Sequence, residues 1–301
     1  MEKPYILHMV TAAKNLSPFD VNMAIDAGWN NCVPYTSVEA DEVQALVQDA
    51  IFSRGPNGVK RTAMFFGGRD MHIAMDMLKI CQGSMVPPFE VSGFADPSGA
   101  FTTAAGMVAK VEKALKDIHN TDFKDKCVLA LGGTGPVGMA AALIAAKQGA
   151  KVKIMGRKKD NAQRVAELCN EKYGSNMTGI QGEAVNMLDS FLDEVDVVFA
   201  TAAAGVQVMS AEQVKLASRL KVAADVNAVP PSGIAGVGVM DDCVAIEGSV
   251  SGAVGIGALA IGNAKYQTQH RMLKAMCATD KPVYYHFEHA FKMAREFVAE
   301  K

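Results

Sequence analysis

The chain has 301 residues, half of them apolar, with a formal charge of -2 and no run of more than three basic residues. That length is too great for one ordinary core and suits two α/β lobes with a ligand cleft between them. The charge balance argues against a nucleic-acid groove, and six cysteines at 32, 81, 127, 169, 243 and 277 form no CxxC pair, which speaks against a zinc ribbon or a dense disulfide framework. A reducing, cytoplasmic setting is the expectation, because the opening MEKPYILHMVTAAK has an acid at position 2 and His8 inside its apolar run, features of a first strand rather than a signal peptide.

In chain order, residues 5–12, 31–35, 61–66 and 89–94 are short apolar or β-branched runs, each followed by helical spacing. Thr36 and Glu39 have capping-box spacing ahead of Val43, Leu46, Val47, Ala50 and Ile51, which fall on one helical face. A long helix is predicted over 102–118, ending in the polar stretch HNTDFKDK at 119–126, read as the linker to a second lobe. Beyond it, strands are predicted at 127–131, 151–155, 195–201, 220–226 and 244–247, mostly apolar and so expected to be buried on both faces of a parallel doubly wound sheet. The Gly/Ala-rich stretch 248–262 falls short of the roughly 20 apolar residues a membrane span needs and reads as close-packed backbone near a ligand. Residues 283–301 are amphipathic, with Phe287, Phe291, Ala294 and Val298 on one face, and are expected to cross back onto the first lobe. Eighteen methionines read chiefly as fillers of irregular core gaps.

The sharpest local signal is KCVLALGGTGPVG at 126–138, where Gly133, Gly135 and Gly138 form G-x-G-x-x-G directly after a strand. Gly133 permits the tight turn, Gly135 lets a pyrophosphate approach the backbone, and Gly138 lets the helix press on the strand. Thr134, Pro136 and Val137 complete a helix start whose free amides face the phosphates. At the tip of the next strand, where an NAD-specific site places an acid, stand Gly156, Arg157, Lys158 and Lys159. An Arg fork pairs with a 2′-phosphate, so NADP is expected over NAD, although no group repels NAD and a plain solvated basic turn is the alternative. Three stretches at later strand ends, 201–205, 225–233 and 248–257, are expected to line the nicotinamide, with Thr201, Ala202, Asn227 and Gly255 as contacts and Asn227 turning an amide inward from a rigid Pro230-Pro231 loop.

Ionisable candidates are sparse. Asp20, near the start of the first helix, also suits a dipole-stabilising role, and Lys265, after the Gly-rich run, also suits a surface lysine. His286 and His289 lie three apart without a third ligand, so no metal is expected.

GGTGPVGM at 132–139, GRK at 156–158, ADVNAVPPSGI at 224–234 and GAVGIGALAIGNAKYQ at 252–267, with FGGRDM at 66–71 and DPSGAFTTAAG at 96–106, resemble the NAD(P)-dependent methylene-tetrahydromethanopterin dehydrogenases of methylotrophic bacteria. The resemblance implies an N-terminal pterin domain over 1–120, with a helix at 270–301 packing back on it, and a Rossmann domain over 121–269. It implies oxidation of a methylene bridge on a reduced pterin to the methenyl cation in formaldehyde oxidation, with the pterin near Asp20, Ser98, Thr102 and Lys265, and Asp20 and Lys265 as candidate catalytic groups. It also suggests a homo-oligomer. The Tyr-x-x-x-Lys pair of the related bifunctional methylene-tetrahydrofolate dehydrogenase/cyclohydrolases is missing from the matching region, which argues against cyclohydrolase activity. A methylene-tetrahydrofolate or shikimate-like substrate, or a non-catalytic NADP(H) sensor, are the other readings of the same residues.

Overall fold

The computed structural model describes residues 2–174 and 180–300. Its elements run β1 (Ile6–Val10), α1 (Pro18–Asp26), β2 (Asn31–Tyr35), α2 (Val43–Phe52), α3 (Gly55–Val59), β3 (Thr62–Phe66), α4 (Met71–Gly83), β4 (Ser92–Ala95) and α5 (Ala100–His119). They continue β5 (Cys127–Leu131), α6 (Pro136–Lys147), β6 (Lys151–Gly156), α7 (Lys159–Tyr173), β7 (Ile180–Ala184), β8 (Val197–Ala200), α8 (Ala211–Leu216) and β9 (Val222–Asp225). The chain closes with β10 (Asp242–Ala245), β11 (Val254–Ile256), α9 (Ala258–Ala278), β12 (Tyr284–Tyr285) and α10 (Phe287–Ala299).

The molecule divides into two units: Met1–Thr102 with Tyr266–Met293, and Thr103–Lys265 with Ala294–Lys301. The divisions therefore fall inside α5, α9 and α10. The polar stretch 119–126 lies within the second unit, and it is held there by a buried Phe123 set edge-on to Phe199 at 6.5 Å and by the Asp125 amide donating to the Gly149 carbonyl at 3.0 Å. A single buried aromatic in a polar run is enough to make it part of a core.

In the first unit five parallel strands stand in the order β12-β4-β3-β1-β2. Parallel strands covered by helices must be apolar on both faces, and all five residues of β3 are buried. α2 presents Val43, Val47, Ala50 and Ile51 to the interior at the predicted spacing. Its start differs: the reciprocal cap is between Glu39 and Glu42, with the Glu39 amide donating to Glu42 Oε2 at 2.7 Å. Ser37 instead takes φ +56° in a turn whose amides, those of Ser37 and Val38, bond Ala13 and Thr11. The segment of α9 in this unit is fixed by Trp29 Nε1 donating to the Leu273 carbonyl at 3.2 Å.

In the second unit seven strands stand in the order β10-β11-β9-β8-β5-β6-β7, parallel except for β10. Leaving β10 aside, this is the doubly wound 3-2-1-4-5-6 arrangement, which puts a crevice beyond the carboxyl ends of β5 and β8. α6 packs on the sheet through Gly138, Met139 and a run of buried alanines, small enough for a close approach. On α5, a Cβ at Gly106 would come within 2.9 Å of the Lys265 backbone nitrogen, so only glycine lets that helix and α9 meet.

The strand expected at 244–247 is β10, an exposed antiparallel edge with a bulge between Asp242 and Val244 and Cys243 at φ +63°. Its residues are exposed or half-buried throughout, so it is not covered on both faces. β7, β11 and β12 were not predicted: β7 reads IQGEA, β11 is three residues inside the Gly/Ala run, and β12 is a two-residue strand ahead of α10, where a continuous helix was expected.

Candidate functional site

Beyond the carboxyl ends of β5, β6 and β8 lies a cavity of about 690 Å³ within the second unit, lined by the glycine turn, Met155, Gly156, Arg157, Val185 and the segment that follows β8. Its floor is backbone. Gly132 sits at φ +76°, and a Cβ there would meet Ala202 backbone atoms at 2.6 Å. A Cβ on Gly133 would strike Ile154 at 2.7 Å, and one on Gly138 would strike the Gly133 Cα and Thr201 Oγ1 at 2.6 Å. Thr201 Oγ1 in turn donates to the Leu131 carbonyl at 3.0 Å, tying β5 to β8 at the crevice. Gly135 differs from these three: its missing Cβ has only the Gly132 carbonyl nearby, at 3.5 Å, so the space above it stays open.

Gly135 is the N-cap of α6 and has no side chain to cap the helix, while Pro136 occupies the first turn, where its lack of an N–H costs nothing. The amides of Val137 and Gly138 in that turn, with the positive end of the helix dipole, form a seat for an anion. Of the predicted dinucleotide contacts, Thr134, Gly135, Arg157, Thr201 and Ala202 line the cavity; Gly133 and Gly138 shape it from behind. Arg157 and Lys158 are exposed, and Lys158 forms the N-cap position of α7 with extended backbone. An apolar wall of Met155, Val185, Val206 and Val208 completes the cavity. Nothing in the spacing of those residues marks them, because they come from three separate strand ends.

Two predicted contacts are placed elsewhere. Asn227 does not offer an amide to the cavity: its Oδ1 accepts from the Gly205 and Val229 amides at 3.1 and 2.9 Å, and its Nδ2 donates to the Pro231 carbonyl at 2.8 Å. It is the brace of its own loop. Gly255 lies mid-strand in β11 beneath Val237, buried and away from the cavity lining. Sequence reasoning passed over Asp225 as an anchor: buried at the end of β9, it accepts from the Asn227 and Ile234 amides at 2.9 and 3.1 Å. Burial raises its pKa, and the loop amides pull the other way.

The carboxyl edge of the first unit holds the candidates expected to meet the substrate. Asp96 is fully buried and accepts from the Phe101 and Thr102 amides at 2.9 and 3.2 Å and from Thr102 Oγ1 at 2.6 Å. Thr102 is therefore not presented to a ligand: its hydroxyl is sealed in the start of α5. Ser98 is exposed at φ +53° and donates to the Gly68 carbonyl at 2.6 Å, holding the β3 and β4 loops together. Asp20 is only 1% exposed and accepts from Gln269 Nε2 at 2.8 Å, so its carboxylate is buried in this structure. Asp20 belongs to the first unit and the half-buried Lys265 to the second.

Burial pushes the thiols of Cys32 and Cys277 up to about 11 and those of Cys81 and Cys169 up to about 12, which leaves them protonated and poor nucleophiles at neutral pH. His286 and His289 stack edge-on at 4.5 Å, and among the described residues no three His, Cys, Asp or Glu side chains come together as metal ligands. Among those residues, too, no helix is long and apolar enough to cross a membrane.

Residues 18–98 match the family model "Methylene-tetrahydromethanopterin dehydrogenase, N-terminal", and residues 112–242 match "Shikimate / quinate 5-dehydrogenase". The NAD(P)-dependent methylenetetrahydromethanopterin dehydrogenase of Methylorubrum extorquens is 43% identical over 294 residues, covering 97% of this chain and 98% of its own. The chain belongs to the NAD(P)-dependent methylenetetrahydromethanopterin dehydrogenase family. A second Methylorubrum extorquens protein similar to this dehydrogenase, "Bifunctional protein MdtA", is 32% identical over 93% of this chain and 94% of its own. Among solved structures, quinate dehydrogenase from Corynebacterium glutamicum in complex with NAD superposes with a TM-score of 0.55 at 12% identity, covering 98% of this chain and 99% of that one, so the two share a fold. The stretch between the dehydrogenase's two family-model matches, 99–111, coincides with the start of α5.

Proposed function

We propose that this chain oxidises the methylene bridge of methylene-tetrahydromethanopterin to the methenyl cation, with hydride passing to NADP or NAD held in the 690 Å³ cavity. The observation that carries the reading is the glycine turn of 132–138 opening onto a cavity rimmed by Arg157, in a chain similar over 97% of its length to a dehydrogenase of that name. The nicotinamide, when bound, supplies the two-electron acceptor. The chain's share is positioning. The open space over Gly135 admits a diphosphate to the Val137 and Gly138 amides, and the guanidinium of Arg157, with Lys158 beside it, meets the ribose and its 2′-phosphate. Thr201 and Ala202 shape the wall behind the turn. The product cation is spread over two pterin nitrogens, so no general base is required, and rate rests on the approach of donor carbon to acceptor ring. Lys265 and Ser98 remain the candidates to orient the pterin. Asp20 and Thr102 act at one remove, Asp20 by fixing Gln269 and Thr102 by securing Asp96 at the head of α5.

The direct test incubates the protein with methylene-tetrahydromethanopterin, or its folate counterpart, and each nicotinamide while reduced-nicotinamide absorbance is followed. Turnover of the methanopterin substrate supports the reading; binding of NADP without turnover of either pterin overturns it in favour of a sensor. Arg157→Ala is expected to raise the KM for NADP about 10- to 100-fold, a loss of about 1.4–2.8 kcal/mol, and that for NAD less than about threefold. A cytoplasmic homo-oligomer is the corresponding expectation for the assembled protein, checked by light-scattering mass.

A further inference from the structure

The basic turn after β6 holds three cations in a row, Arg157, Lys158 and Lys159, and the third is engaged from behind. Lys159 opens α7, where the helix dipole disfavours positive charge. Its ammonium lies 3.1 Å from Oε2 of Glu183, a side chain only 11% exposed near the carboxyl end of β7. Glu183 is the register partner of Met155, which lines the dinucleotide cavity, and the next pair along, Gly156 and Ala184, leads directly to Arg157 and Val185 on the cavity rim. Among the described residues this buried Oε2 has no hydrogen-bond partner, and the Lys159 ammonium is the cation set against it.

We infer that Glu183, acting through Lys159, sets the balance between NADP and NAD: it neutralises one of the three charges of the ribose-facing turn and adds negative potential beside the site of the 2′-phosphate. The 2′-phosphate is the only difference between the two cofactors, and it is a multiply charged anion, so a carboxylate close behind its binding turn weakens NADP selectively and leaves NAD nearly untouched. An enzyme with all three cations free would favour NADP more strongly. With one withdrawn, the turn keeps enough charge to accept the phosphate without requiring it. Glu183 is thus a positioning residue, and it touches neither substrate nor cofactor.

The inference rests on the reading of the cavity as the dinucleotide site, and the experiment separates the two. Dissociation constants for NADPH and NADH are measured by fluorescence titration for the full-length protein and for Glu183→Gln, Lys159→Met and Arg157→Ala. Glu183→Gln keeps the shape, removes the charge and frees Lys159; it is expected to shift the affinity ratio toward NADPH by roughly fivefold, a shift that shrinks as salt is raised. Lys159→Met leaves the carboxylate uncompensated and is expected to move the ratio the other way by a similar factor, so that a Glu183→Gln protein that folds poorly does not leave the idea without a test. If Arg157→Ala discriminates between the cofactors while both other variants keep the ratio within twofold of the parent, the role of Glu183 is overturned and the cavity reading stands. If Arg157→Ala fails to discriminate, the assignment of the turn to the 2′-phosphate falls, and this inference with it.

Discussion

The two units carry parallel sheets of similar design, yet their carboxyl edges are spent in opposite ways. Beyond β5 and β8 the polar groups are backbone amides at a helix start, left open because glycine stands where any other residue would close the turn. Beyond β3 and β4 the polar groups are side chains, and their partners are internal: Asp96 to the head of α5, Thr102 to Asp96, Ser98 to Gly68. The first edge leaves its amides open and the second uses its polar groups to hold its own loops in shape. A substrate at the second edge must therefore be recognised by the surface those loops present and by groups still exposed on it, rather than by the buried hydroxyl and carboxylates.

The sharpest way to break this contrast is Gly138→Val. Its Cβ would sit 2.6 Å from the Gly133 Cα and Thr201 Oγ1, so dinucleotide affinity is expected to fall more than about 100-fold and thermal unfolding to show a loss of about 3 kcal/mol. Normal NADPH binding by that variant would show that the turn is not the cradle. Asp96→Ala strikes the other edge: it removes three accepted hydrogen bonds, two of them capping α5, and is expected to cost about 2–3 kcal/mol in denaturant unfolding while NADPH affinity stays within about twofold. Loss of cofactor binding with folding intact would blur the distinction between the two edges. The smallest effect is acid sensitivity. Burial, first of all, lowers the pKa of both His8 and His289 beneath the ordinary 6.5, so the folded protein binds fewer protons than the unfolded chain just below that pH. Their contribution is fully present above 6.5 and is lost as pH falls through their folded values. A denaturant series between pH 7.5 and 5 should show the decline, and His8→Gln should flatten part of it.

The glycine turn, the strand before it and the basic tip of β6 were legible because they are local: backbone sterics and one cation can be read without knowing what lies opposite. The strands β7 and β11 were not, since IQGEA has no clear period and three residues inside a Gly/Ala run carry too little pattern. Asn227 shows the deeper limit. That it sits in a rigid proline loop follows from sequence; that both ends of its amide are consumed by Gly205, Val229 and Pro231 follows only from the folded loop. Asp20 and Thr102 meet the same limit: a polar residue in the first turn of a helix looks alike in sequence whether it is open to a ligand or, as the fold shows, buried.

β10 carries a consequence for the molecule's dealings with its own copies. An open rim of a seven-stranded sheet offers unpaired amides and carbonyls to any other chain, yet here the rim is four residues long, kinked at Cys243 and carries Asp242 in an ion pair with Lys110. Those are the devices that make a rim a poor template, so any chain that meets this edge is steered away from extending the sheet there and toward contacts made by side chains.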